Sequence, residues 1–209
     1  QNYLKKNLNA ESTYIAYGVR EMKSPNALSL KNFNLDEDSY YLLIARMEPE
    51  NNIETIIQGY LKSHSKKPLL IIGGLEKAYG KHLMKKYKTN RIIFHGSHYD
   101  QNELHDLRFF SSMYFHGHSV GGTNPSLLEA MASEATICAH DNIFNRSILE
   151  NNAFYFSSSD DIKEILEGTH SKDLTFSKRN LQKVKNEFHS EHINRQYEEL
   201  FEKCILEQE

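Results

Sequence analysis

No stretch of this 209-residue chain approaches the roughly 18 consecutive apolar residues that a membrane-spanning helix needs. No signal peptide is visible at its start either. Cysteine is scarce. Cys138 and Cys204 are the two in the chain, far apart and without metal-ligand spacing, so a disulfide scaffold and a cysteine-rich zinc site are both excluded. They read as reduced thiols, and the expected location is the cytoplasm or the inner face of its membrane. Excess positive charge is missing as well: the net charge is −3, which argues against a nucleic-acid binder held by phosphate contacts. Internal repeats and low-complexity tracts are absent. The first strand is not followed by the G-x-G-x-x-G turn of a dinucleotide-binding oxidoreductase; Ala45-Arg46-Met47 stands there instead.

What is present is a regular alternation. Hydrophobic residues make up 39% of the chain, enough for a substantial core. Short apolar runs predict strands at Tyr40–Ala45, Pro68–Ile72, Arg91–Phe94, Ser112–His116, Ala135–Ala139 and Ala153–Phe156. Between them, helical spacing predicts helices at Ile53–Leu61, Tyr79–Tyr87, Asp100–Phe110, Pro125–Ala132 and Ile143–Glu150. Asp160–Leu166 and one long helix over Ser177–Ile205 complete the pattern. Strands alternating with helices imply βαβ units and a parallel sheet covered on both faces, hence an α/β, Rossmann-like, doubly wound fold of about six strands. Residues 1–38 differ: a helix-like start, a short strand Thr13–Tyr17 and a polar linker ending in Asp36-Glu-Asp38.

In a doubly wound sheet, ligands sit beyond the strand C-termini. The most informative segment lies there: His116-Gly-His-Ser-Val-Gly-Gly-Thr-Asn-Pro-Ser-Leu-Leu-Glu-Ala-Met131. It leaves a strand, crosses a Gly-rich loop and enters a helix with Pro125 in its first turn. Such a loop gathers free backbone N–H groups at the positive end of a helix dipole, an arrangement suited to phosphate. Gly121, Gly122, Thr123 and Asn124 are candidates for that anion nest, with the hydroxyls of Thr123 and Ser126 as further donors; Thr123 or Asn124 also fits as a plain helix cap. Glu129 stands one turn into an apolar helix. A carboxylate there is costly to bury without a partner, and a ribose diol would be a bidentate one; favourable interaction with the helix dipole is the alternative.

Other candidates share the rim. Arg46, at the end of the first central strand, could grip a diphosphate with parallel hydrogen bonds, or pair with Glu48 or Glu50. Asn51 and Asn52 read first as caps of the helix beginning at Ile53, with ligand binding as a second role. Gly73-Gly74 would keep a turn clear of side chains and leave room for a ligand. His95, in His95-Gly-Ser-His98, belongs either to a loop facing a nucleobase or to a plain turn. His116 and His118, two apart on a strand, face one side. With no third ligand close in sequence no metal is expected, and His118 is the candidate acid or base near neutral pH.

Ile44-Ala-Arg46, the Phe94-His-Gly96 turn and Pro125-Ser-Leu-Leu-Glu-Ala-Met-Ala132 together resemble the C-terminal, donor-binding lobe of a GT-B glycosyltransferase of family 4 (group 1). The string GHSVGGTNPSLLEAM is similar to a subgroup of rhamnosyl- or related transferases of bacterial surface polysaccharides. The resemblance covers about residues 39–205. It implies binding of a nucleotide-diphospho-sugar without metal or other cofactor, Arg46 on the diphosphate, Glu129 on the ribose hydroxyls, and Gly122 to Ser126 (with Pro125 between) against phosphate and sugar. Two positions depart from the family. Asn51 replaces a usual Lys, and Gly121 stands where a first Glu is usual, with His118 nearby as its substitute. The implied domains are 1–38, a remnant of the acceptor lobe and interlobe linker that Thr13-Tyr-Ile-Ala-Tyr-Gly18 resembles; 39–175, the nucleotide-sugar domain; and 176–209, a C-terminal helix packing back. The chain is expected to be a fragment, inactive alone, whose acceptor is a saccharide or lipid-linked saccharide. A non-catalytic nucleotide-binding module of the same fold is the alternative. No nucleic-acid partner is expected.

Overall fold

Six short apolar segments line up as one parallel sheet in the computed structural model, which describes residues 2–168 and 174–206. They are β1 (Tyr41–Ile44), β2 (Leu69–Ile72), β3 (Ile92–Phe94), β4 (Met113–His116), β5 (Ile137–His140) and β6 (Phe154–Phe156). The order across the sheet is β3-β2-β1-β4-β5-β6. Tyr41 pairs with Leu69 on one side and Met113 on the other, so β1 is central. This is the strand order of the doubly wound nucleotide-binding fold. The sequence reading of the fold class holds, and each strand falls within its apolar run except β5, which continues to His140.

Adjacent strand residues face opposite sides, and both sides are buried. Leu42, Leu70, Ile72, Tyr114 and Ile137 belong to one core; Tyr41, Leu43, Leu69, Ile71 and Phe115 belong to the other. The strands therefore read as unbroken apolar runs rather than alternating ones. The first core is closed by α4 (Gln101–Phe110), α5 (Pro125–Ala132) and α6 (Ile143–Leu149), through residues such as Leu107, Leu128 and Leu149. The second is closed by α2 (Ile53–Lys62), α3 (Ala78–Lys86) and α7 (Ser159–Glu167), through Ile57, Leu83 and Ile162. Against burial at about 25 cal/mol per Å² of apolar surface, these two layers supply the main driving force for folding.

Two expectations fail. No strand forms over Thr13–Tyr17; after α1 (Asn2–Leu8) the chain runs extended and irregular to a 3₁₀ segment at Ala27–Phe33. Ala16 and Val19 pack into the core as extended chain instead, followed by Leu30, Phe33 and Leu35. The long C-terminal helix is also broken. It divides into α8 (Leu174–Lys183), a π-helical turn over Val184–Phe188 and α9 (Ser190–Leu206). His189 between them is extended, and the strand-like bridge that the early segment lacks elsewhere forms here: the Val19 N–H donates to Phe188 O at 2.8 Å, and the Ser190 N–H to Val19 O at 3.0 Å.

Candidate functional site

Strand order reverses between β1 and β4, so the loops leaving their C-terminal ends diverge and open a crevice, the place where ligands bind in this architecture. A cleft of about 690 Å³ lies there. Its walls come from the ends of β1 and β2, the loop after β3, the loop after β4 and the first turns of α5.

The two central loops are stitched together by backbone and amide groups. Asn51 is buried, and its Nδ2 donates to Arg46 O at 2.8 Å. Asn52 Nδ2 donates to Gly117 O at 2.8 Å, and the N–H and hydroxyl of Ser119 both donate to Glu50 O. The capping role expected of the two asparagines is thus not what their side chains do. Asn52 occupies the N-cap position of α2 in a left-handed conformation without a side-chain cap bond, and Asn51 closes the Arg46 turn. Gly73 lines the cleft, but its lack of a side chain serves the backbone. A Cβ there would lie 2.1 Å from Ala45 O. The space it leaves accommodates the Ala45 carbonyl and the end of the Met47 side chain.

The loop before α5 is the open part. Gly121 has φ +115°, a conformation that favours glycine, and a Cβ on Gly121 or Gly122 would meet nothing within 4 Å. The N–H groups of Gly121, Gly122, Thr123 and Asn124 make no hydrogen bond among the described residues. Asn124, not Thr123, is the cap: its Oδ1 accepts from the Ser126 N–H at 2.9 Å. Pro125 occupies the first helical turn, where no N–H is needed. The hydroxyls of Thr123 and Ser126 are turned to tyrosines, Thr123 Oγ1 lying 2.5 Å from Tyr14 OH and Ser126 Oγ 2.8 Å from Tyr114 OH. Four consecutive N–H groups without a partner among the described residues thus lead into the positive end of the α5 dipole, an arrangement that suits an anion.

Arg46 is exposed at the cleft wall and forms no ion pair among the described residues. Neither alternative pairing forms among the described residues, and Glu48 is instead engaged by Lys77 at 3.0 Å. Glu129 also lines the cleft, but not as a free carboxylate. Its Oε2 accepts from Arg108 Nη2 at 2.5 Å, so only Oε1 lacks a partner among the described residues. Arg108, from α4, is 1% exposed; its guanidinium lies 5.9 Å from the Tyr114 ring centre, and Nε and Nη1 reach no acceptor at bonding geometry.

His118 lines the cleft and stacks on His116, ring centres 4.5 Å apart and planes 16° from parallel. Burial, and then the nearby Arg46 charge, hold the His118 imidazole down to about 4. The pocket therefore favours the neutral imidazole at pH 7. His116, wholly buried, is likewise held well below the ordinary range by burial first and by His118 and Arg108 after it. Among the described residues no group of three or more His, Cys, Asp or Glu is arranged to hold a metal ion. His95 does not line the cleft. Its ring packs 4.9 Å from Phe33 and 5.6 Å from His98, while Ser97, His98 and Tyr99 reach the cleft in its place.

The sequence profile of the family described as "Glycosyl transferases group 1" matches residues 28–172, more than half of the chain. The chain belongs to that family. No curated protein matches it in a sequence search. Among solved structures, sucrose-phosphate synthase from Thermosynechococcus elongatus is 18% identical, with a TM-score of 0.79 over 98% of this chain and 56% of that one. Anabaena HepE, solved in complex with UDP and glucose, is 18% identical, with a TM-score of 0.76 over 91% of this chain and 57% of that one. The C-terminal domain of a group 1 family glycosyl transferase (LpcC) from Francisella tularensis is 19% identical, with a TM-score of 0.66 over 82% of this chain and 99% of the domain. At these identities the likeness establishes the fold, and this group 1 chain spans a little over half the length of the first two. Among the described residues no helix is long and apolar enough to cross a membrane.

Sequence reasoning missed Arg108 and Tyr17, which line the cleft, and Tyr114, whose hydroxyl lies against that of Ser126. A signal for Arg108 was available. It follows Leu107 and stands four residues after Leu104, so helical spacing puts it on the buried face of α4. A charged residue there requires a partner.

Proposed function

We propose that this chain is the donor-binding lobe of a group 1 glycosyltransferase, holding a nucleotide-diphospho-sugar in the cleft between β1 and β4. The observation that carries this reading is the convergence of the unpaired Arg46, the free N–H groups before α5 and the Glu129 carboxylate on that one cleft. The diphosphate would lie against the α5 N-terminus and Arg46, and a ribose hydroxyl would donate to Glu129 Oε1. During transfer the bond between the anomeric carbon and the β-phosphate oxygen breaks, a bond to an acceptor hydroxyl oxygen forms as that hydroxyl passes its proton to a base on the acceptor side or to the departing diphosphate, and charge develops on the diphosphate. The helix dipole, the loop N–H groups and Arg46 stabilise that charge, so no metal or other cofactor is invoked. HepE, with which the fold is shared, was solved with UDP-glucose, which supports a uridine or related nucleotide as a first ligand to test.

The finer assignment is a hexosyl- or deoxyhexosyltransferase of bacterial surface polysaccharide synthesis, acting in the cytoplasm or at the inner face of the membrane on a saccharide or lipid-linked saccharide. It is supported by the resemblance of GHSVGGTNPSLLEAM to rhamnosyl- and related transferases. We assign residues 39–175 to nucleotide-sugar binding and 176–209 to a C-terminal region that packs back on it. Residues 1–38 are proposed to continue from an acceptor lobe that the present 209 residues do not include. The chain alone is then expected to bind the donor and to transfer little sugar. Calorimetric titration with UDP, GDP and dTDP tests the reading. A nucleoside diphosphate should bind more tightly than its nucleoside, and absence of binding by all three would reject it. The second reading, a non-catalytic module, draws on Asn51: its amide is engaged by Arg46 O, leaving no cation where the family usually has Lys. Nucleotide binding without turnover in the presence of an acceptor lobe would favour it.

A further inference from the structure

Arg108 is almost wholly inaccessible, yet it lines the same cleft as Glu129. A buried guanidinium with one good acceptor and two donors out of bonding reach is a poor device for stability, because desolvation is incompletely offset. Its one strong contact falls on the carboxylate that faces the cleft, Arg108 Nη2 to Glu129 Oε2 at 2.5 Å. That bond selects one rotamer of a side chain otherwise free to swing at the cleft wall, and directs Oε1 away from the guanidinium. The Tyr114 ring beneath limits how far the guanidinium itself can move.

From this contact we infer that Arg108 is a positioning residue for ribose recognition: it clamps one oxygen of Glu129 so that the other receives a sugar hydroxyl of the bound nucleotide. The inference rests on the nucleoside diphosphate reading above. Arg108 itself touches no ligand, and the sugar hydroxyl keeps its proton and donates to Oε1. The consequence is specific. Arg108 governs discrimination between ribose and sugars lacking hydroxyls, while the diphosphate contacts at Arg46 and the α5 N-terminus do not depend on it.

The test compares the tightest binder among UDP, GDP and dTDP with its counterpart lacking the sugar hydroxyls, using the 209-residue chain, its Arg108→Met variant and its Arg108→Lys variant. The native chain should prefer the hydroxylated nucleotide by roughly ten-fold or more, as expected for a hydrogen bond to a charged group. Arg108→Met should lose most of that preference while its affinity for the hydroxyl-free counterpart changes less than three-fold. Arg108→Lys, which keeps a cation in the pocket without the planar fork, should recover part of the preference and decides the matter if the Met variant does not fold. Unaltered discrimination in a folded variant would overturn the inference and leave the nucleotide reading standing. Failure of the native chain to bind any of the three nucleotides would overturn both.

Discussion

Two arginines line one cleft and have opposite circumstances. Arg46 is exposed, unpaired among the described residues, and held at the end of a central strand by a turn whose carbonyl Asn51 closes. Arg108 is buried, paired with Glu129 and packed over Tyr114. An exposed guanidinium keeps its hydration and contributes little to folding, so it is free to meet a phosphate. A buried one has lost its hydration and depends on what the protein offers in return. Under the proposed function, the pair would separate ligand contact from ligand-contact geometry within one site. The residue that meets solvent would meet the ligand, and the residue withdrawn from solvent holds another in place.

The sharpest way to break this contrast is to remove the partner of the buried arginine. Glu129→Ala leaves the Arg108 guanidinium inside the protein with no acceptor at bonding distance. Removing one partner of a buried pair costs roughly 3–5 kcal/mol, and the lower end applies because Glu129 retains 28% exposure. Denaturant unfolding should show this loss, and Glu129→Gln, which preserves an oxygen acceptor, should show a smaller one. Equal and slight losses for both variants would mean that Arg108 does not depend on Glu129. Loss of nucleotide binding in Glu129→Ala alone is consequently ambiguous between a broken contact and a loosened fold, and Glu129→Gln is the cleaner probe of the ligand.

The same contrast explains what could be read from the sequence. The six strands, the helices between them and the loop before α5 were legible because burial on both faces imposes unbroken apolar runs, and because Gly121, Asn124 and Pro125 have strong local preferences. Arg46 was legible from its place after a strand. The strand expected at Thr13–Tyr17 was not formed; Ala16 and Val19 pack into the core as irregular chain, and Val19 makes its bridge with the distant His189. The break at His189 was hidden because it depends on pairing with Val19, some 170 residues earlier, which no local pattern reports. Arg108 was overlooked for a related reason. Its significance lies in a contact between two helices, although its position among the leucines of α4 carried the warning.

Arg46 should behave in the reverse sense. Arg46→Ala removes an exposed cation without a partner, and its effect on unfolding free energy should stay within about 0.5 kcal/mol. Its effect on binding should be larger and selective. Affinity for a nucleoside diphosphate should fall by roughly 1.5–3 kcal/mol, the range for hydrogen bonds to charged groups, with affinity for the bare nucleoside unchanged. Titration calorimetry on both ligands separates these terms. Equal losses on both would detach Arg46 from the phosphate.

The smallest expected effect concerns the field that Arg46 casts on its neighbour. Burial is the main reason that His118 titrates at about 4, and Arg46 is the next. Because the folded value lies below the ordinary one of about 6.5, the unfolded chain takes up a proton that the folded chain refuses as pH falls between them. Stability contributed by the neutral imidazole is therefore complete above 6.5 and is lost progressively toward 4. Arg46→Ala should raise the His118 value without restoring it fully, since burial persists, and should make acid unfolding over this window shallower. His118→Asn should flatten the same window further, leaving the part due to buried His116, whose value is also depressed. Proton NMR titration of the imidazole signals in both proteins measures the shift. A His118 value unmoved by removal of Arg46 would show that the exposed arginine, unlike the buried one, is electrostatically silent toward the rest of the cleft.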